Sequence, residues 1–404
     1  MEKKLLKCVT ICLCVFLCPL SSVEAVVSAQ YRLAVEVNAA GYERIDKPVE
    51  LDLNFTELLG QLGSDSEFDE NSIHVVEVGP SGSVIDESVV FQFDEAVDFD
   101  KENNARGTLI FILNGVTASN STRKYHIYFG QAGSSSSSAR FGAQVLVEDD
   151  VDYEGQKSFK ITTPNCTYYY HKKGGGFASM IDSAGNDWIS YHPEGGSAGN
   201  YRGVPNMRPA GFHPGPGENN LGSLIISKGL IKLTFVSVGN YGQWKCIWEI
   251  YPTYARMTLL EKGPQPYWIL YEGTPGGKLD VDADYWVQSS GRCRSVSQDW
   301  KGEIPAPEWV YFGDANTKRV LYYILHEDDD KLDQFWQMEG NMTVFGFGRQ
   351  YKCCDTYMTT LPAHLTIGFA EDDSFQQVSK VINCAYQPLQ ISVTAPQCKA
   401  AVTQ

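Results

Sequence analysis

Residues 191–220 read "YHPEGGSAGNYRGVPNMRPAGFHPGPGENN" and gather phenol, guanidinium, amide and imidazole groups. The stretch has neither helical nor strand periodicity, so a long loop is expected there. Tyr201 can stack on a sugar ring or pass a proton through its hydroxyl. Arg202 can grip a carboxylate with two parallel N–H groups. His213 titrates near neutrality and suits a general base, and Asn206 adds a substrate-binding amide. β-Elimination of a uronate needs one group to neutralise the carboxylate, one to remove the acidified C5 proton and one to protonate the leaving oxygen. Arg202, His213 and Tyr201 are the residue types for those three tasks. A surface loop whose Tyr and His cap a sheet edge, with Arg202 in a salt bridge, is the ordinary alternative.

Other groups stand apart from this loop. Glu272 closes the apolar run "YWILYEG" just before the Gly-rich turn 273–277, a place from which a carboxylate can face a cleft. With Glu249 or Glu327 as partner it suits the general acid of a glycosidase; capping turn N–H groups would also explain it. Arg256, in "YPTYARM", is a second carboxylate anchor or a salt bridge at the core's edge. His326 and Glu327 follow the strand-like "RVLYYIL" and are assigned to substrate binding. The acids Asp328–Asp330 after them read as N-terminal charges of a helix over "KLDQFWQME". Trp286, Trp300 and Trp336 lie near loops where an indole can stack on a pyranose face, with Trp286 assigned to substrate. Asp280, Asp282 and Asp284 have the spacing that opens a calcium loop. Tyr285 stands where that loop wants Gly, and no Glu follows at the right distance. No residue is assigned to a metal and no cofactor is expected, a Ca2+ site of another shape excepted.

The 404 residues carry 33 basic against 49 acidic side chains, a net charge of −16. Phosphate backbones require a basic face, so nucleic acid is excluded as the expected partner. A polysaccharide or oligosaccharide, even an anionic one, remains compatible with a local cationic cleft. Residues 1–25 combine Lys3, Lys4 and Lys7 with an apolar run and a small-residue exit at Ala25, the pattern of a cleaved secretory signal. The run Val9–Leu20 is shorter than the ~20 residues of a membrane span, and no later stretch is long enough. Beyond residue 25 lie Cys166, Cys246, Cys293, Cys353, Cys354, Cys384 and Cys398, an odd set with no Cys-x-x-Cys spacing for zinc. H-E-x-x-H, Walker and dinucleotide motifs are all missing.

Positioning such groups falls to β-structure. "VELDLNF" alternates Val49, Leu51, Leu53 and Phe55 with polar residues, a half-buried strand; "YRLAVEV", "SIHVVEV", "GTLIFILNG" and "RKYHIYFG" continue the pattern. Residues 26–132 therefore form a small β-barrel or sandwich, with one helical turn at "TELLGQL". Five consecutive Ser and the acidic "VEDDVDYEGQ" mark a linker over 133–154. Residues 155–404 form a large antiparallel two-sheet β-sandwich with strands such as "WKCIWEI" and "AHLTIGFAE", and one helix over "DSFQQVSKVINCAY". The fold class is all-β.

The first module, on "KPVELDLNF", "SIHVVEVGPSG" and "RKYHIYFG", resembles the RIFT-type barrels that precede catalytic domains in rhamnogalacturonan-lyase-like proteins. "ITTPNCTYYYHKKGGGFASMIDSAGNDWISY" is similar to the opening of galactose-mutarotase-like supersandwiches. The resemblance implies a secreted carbohydrate-active enzyme. Together with Tyr201, Arg202, His213 and Arg256 it points to a polysaccharide lyase acting on a uronate-containing glycan. A glycoside hydrolase built on Glu272 and a non-catalytic carbohydrate-binding or adhesion protein are the alternatives.

Overall fold

The computed structural model describes residues 30–133, 141–207, 211–217, 221–239, 242–350 and 357–398. The expected signal peptide, the Ser run and Cys353–Cys354 lie outside them. Antiparallel strands dominate. In the strand Arg44–Asn54, Val49, Leu51 and Leu53 are buried while Asp52 is exposed, as a pleated ribbon with one covered face requires. This strand joins Arg106–Thr117 and Phe91–Glu95 in a three-stranded sheet. It faces a sheet built on Tyr31–Asn38, Thr122–Gln131 and Phe68–Val78. Leu33, Val35, Val49, Leu109, Phe111 and Ile127 fill the space between them. No ladder joins the two sheets among the described residues, so the module is a sandwich and not a closed barrel. Asn54 ends one strand and caps the helix Phe55–Gln61, its side chain accepting from the Glu57 N–H.

The larger module consists of two nine-stranded sheets. Phe177, Trp248, Ile269, Tyr271, Trp286, Phe312, Phe345 and Leu365 meet between them in one apolar core. The helix Phe375–Tyr386 lays Val378, Ile382 and Ala385 on the outer face of the second sheet, against Tyr254, Tyr322 and Ile324. The first module covers more of that face, where Ile110 and Ile112 meet Ile231. Among the described residues no helix is long and apolar enough to cross a membrane.

Four expectations change. The acidic half of the expected linker is a strand, Leu146–Tyr153, which forms the edge of the first large sheet by pairing with Gln156–Thr162. Lys160 and Lys172 meet its acids Glu148, Asp149 and Asp150, so charge pairing replaces apolar patterning. The second module does not keep the C-terminus: Gln390–Val393 and Gln397–Cys398 return to pair with Tyr31–Asn38. "KLDQFWQME" contains the strand Asp333–Met338 instead of a helix, because Phe335 enters the core while Gln334 and Trp336 face away. The loop 191–220 holds the strand Gly203–Asn206, inserted between Gly176–Asp182 and Ile269–Gly273. Pro205 is tolerated there because the register shifts between Gly203 and Asn206, leaving a bulge that spares a ladder donor. The described cysteines Cys166, Cys246, Cys293, Cys384 and Cys398 are free thiols.

Candidate functional site

Side chains that leave the core of the first large sheet on its outer side form two rows. Asn206 pairs with Leu270, Leu270 with Gly346 and Gly346 with Gln334; one step along, Gly203 pairs with Glu272, Glu272 with Val344 and Val344 with Trp336. Directly paired residues of a sheet share a face, so Asn206, Glu272, Gln334 and Trp336 project together. Gly346 keeps the middle of the patch flat: a Cβ there would come within 2.1 Å of a Leu270 methyl. Just past the strand Met342–Phe347 the chain turns at Gly348, whose φ of +67° suits glycine. Arg349 then folds back over the face, its guanidinium carbon 4.5 Å from the Trp268 ring centre and 5.5 Å from that of Trp336.

The patch is polar and enclosed. Glu272 is 3 % exposed, Asn206 3 % and Arg349 4 %. The Asn206 amide donates to Glu272 Oε2. Burial draws the Arg349 guanidinium down to about 10, against the opposing pull of the Glu272 carboxylate. Asn206 Oδ1, Trp268 Nε1 and Gln334 Oε1 are buried without a hydrogen-bond partner. Each such group costs about 1–3 kcal/mol when left unmet. Two acceptors and a donor are thus left unmet on the same part of the sheet as a carboxylate and a guanidinium held by indoles.

The loop carrying His213 lies along the same face. A Cβ on Gly203, the direct partner of Glu272, would stand 2.2 Å from Pro214, so the absent side chain admits the His213–Pro214 segment beside Glu272. The His213 N–H donates to the Gly174 carbonyl at 2.9 Å, and the Gly215 N–H to His171 Nδ1 at 2.9 Å. His171 is fully buried, and burial holds it down at about 4, so its neutral ring accepts that bond across physiological pH. His213 Nε2 donates to the Tyr201 carbonyl at 3.1 Å. Tyr201 packs against Trp268, Leu270 and Val344. Tyr201, Asn206, His213 and Glu272 are therefore brought together.

Arg202 is not available to a substrate. Its guanidinium donates to the carbonyls of Ala198 at 2.7 Å, Ser190 at 3.1 Å and Asn341 at 2.9 Å; it ties three chain segments and leaves no fork for a carboxylate. Arg256 lies on the other sheet. It binds Glu249 at 2.7 Å and Glu50 of the first module at 2.9 Å, so it joins modules. His326 Nε2 is 2.8 Å from the Thr366 hydroxyl, its ring against Tyr386 of the helix, and burial holds it at about 4. Glu327 pairs with His364. Trp286 has no exposure and stacks on Phe335 with centroids 5.1 Å apart, a core position closed to a sugar. Asp280 and Asp284 serve their own turn, Asp284 accepting from the Asp280 N–H at 2.8 Å. The sequence reading missed Arg349 and Gln334, and Trp268 gained its place only through tertiary pairing.

No protein-family model matches the chain, and no curated protein matches it. Solved structures similar to it include HI1317, at 10 % identity and a TM-score of 0.38 over 56 % of this chain and 99 % of that one. The candidate mutarotase YeaD from Salmonella typhimurium aligns at 11 % identity and 0.36, over 56 % and 97 %. A galactose mutarotase related enzyme from Lactobacillus acidophilus aligns at 9 % identity and 0.35, over 54 % and 99 %.

Proposed function

We propose that the outer face around Glu272 binds a saccharide and that Glu272 transfers a proton during its conversion. The carrying observation is that Asn206 Oδ1, Trp268 Nε1 and Gln334 Oε1 are all buried without partners on the part of the sheet that bears that carboxylate. Sugar hydroxyls both donate and accept, so one pyranose can satisfy all three atoms while its apolar face lies on an indole. Glu272, oriented by Asn206, is the acid or base. His213 on the adjoining loop is the second candidate for proton transfer. Export through residues 1–25 suits a protein that meets glycans outside the cell.

The reaction class follows from which guanidinium faces the substrate. Elimination needs a cation on the uronate carboxylate; Arg202 and Arg256 are committed elsewhere, and Arg349 is the guanidinium placed on this face. Hydrolysis needs a second carboxylate opposite Glu272. The purified mature chain should be tested on a panel of polysaccharides by ultraviolet absorbance and reducing-end release. Absorbance identifies a lyase, reducing ends alone a hydrolase, and retention in affinity electrophoresis without either a binding protein. Full turnover by Glu272→Gln would overturn the assignment.

A further inference from the structure

We propose that Glu303, Glu308 and Asp328 form a binding site for one calcium ion, where the segment 303–308 meets the turn after the strand Val320–Leu325. One carboxylate oxygen from each lies within 4.8 Å of the others. That is the widest separation of two oxygens that both sit ~2.4 Å from a common Ca2+. Clustered acids alone would prove little. Here Glu308 is 2 % exposed, and only one of its oxygens is used, Oε1 accepting from the Asp329 N–H at 2.7 Å. Its Oε2 is buried with no partner, and so is Glu303 Oε2. Two shielded carboxylate oxygens without a donor, on residues that cluster with a third carboxylate, ask for a cation.

Among the described residues no unpaired cation meets them. Asp329, Asp330 and Asp333 add negative field to Glu303 or Glu308, and Lys331, the cation that reaches Glu303, is itself paired with Asp330. All three side chains offer hard oxygen and no nitrogen or sulfur, which selects Ca2+ or Mg2+ over zinc or copper. Three carboxylates on one ion suit the larger, flexibly coordinated Ca2+; Mg2+ keeps most of its water. The site is separate from the turn at Asp280–Asp284, and the inference does not depend on the saccharide reading.

Chelator-treated mature protein should be titrated with CaCl2 and with MgCl2 by calorimetry. One Ca2+ per chain is expected, with Mg2+ weaker. Glu308→Gln and the exposed-site variant Asp328→Asn should each weaken Ca2+ by at least about tenfold, because ligand charge sets the affinity. Asp280→Asn should leave it unchanged. The proposal is overturned by no uptake at ~10 mM Ca2+, above the range of weak extracellular sites. It is equally overturned by undiminished affinity in Asp328→Asn and Glu303→Gln, by tighter Mg2+ than Ca2+, or by loss of binding in Asp280→Asn.

Discussion

The two outer faces of the large sandwich carry similar residue types and treat them in opposite ways. On the second sheet, Glu50, Lys232, Glu249 and Arg256 meet across the module boundary. Lys232 reaches Glu50 at 2.9 Å and Glu249 at 3.0 Å, and the Tyr251 hydroxyl donates to Glu50 at 2.7 Å. Opposite charges face one another there, and neutral partners complete the set. On the first sheet, Glu272 and Arg349 share a patch in which Asn206 Oδ1, Gln334 Oε1 and the Trp268 indole N–H have no hydrogen-bond partner. A closed charge network holds modules together, whereas buried neutral groups left without partners are the feature on which the proposed saccharide site rests. Residue type does not separate the two cases, but completeness of hydrogen bonding does.

Substitutions can break this contrast. Glu272→Gln should lower turnover by roughly 10²–10⁴-fold, the usual range for a lost acid or base, with the thermal midpoint nearly unchanged. A loss of folding with residual specific activity would move Glu272 to the structural side. Arg256→Ala should do the reverse. It leaves Glu50 and Glu249 with Lys232 as their one remaining cation, costs about 2 kcal/mol in urea unfolding for the lost charged hydrogen bonds, and leaves activity per folded molecule intact.

Acid should weaken the closed face in the same range. Burial alone would raise Glu50, but Lys232 and Arg256 overcome this and hold it at about 2, below its ordinary 4.5. An acid so depressed gives stability that is full above the ordinary value and is lost as pH falls from there through about 2, on the order of 3 kcal/mol. His326 acts in the same direction, since burial lowers it to about 4 from 6.5 and protonation is resisted in the fold. Denaturant midpoints that stay flat on acidification would contradict both. The smallest effect belongs to Trp336→Ala, which should weaken saccharide affinity by about tenfold, ~1.4 kcal/mol, without altering the pH profile of turnover.

Much of the scaffold was legible because antiparallel strands with one covered face alternate in sequence, as Arg44–Asn54 and Trp244–Ile250 do. Strand Asp333–Met338 was misread because Leu332, Phe335 and Trp336 fall at i, i+3 and i+4, the spacing of a helical stripe, in so short a run. Gly203–Asn206 was hidden by its Pro and its four-residue length. Glu272 was visible from its place at a strand end before glycine. Arg349 and Gln334 were not, since their proximity to Glu272 arises from ladders between segments far apart in the chain. Arg202 and Arg256 show the converse limit: a sequence displays a guanidinium but not the carbonyls or carboxylates that will occupy it.

The return of Gln390–Val393 to the strand Tyr31–Asn38 gives the molecule an order of assembly. One flank of the earliest described strand exposes bare N–H and C=O groups until some 350 further residues have been made. During that interval it can recruit a stray strand from another copy. Chains stopped short of residue 390 should therefore be aggregation-prone even though every residue of the Glu272 patch is already present.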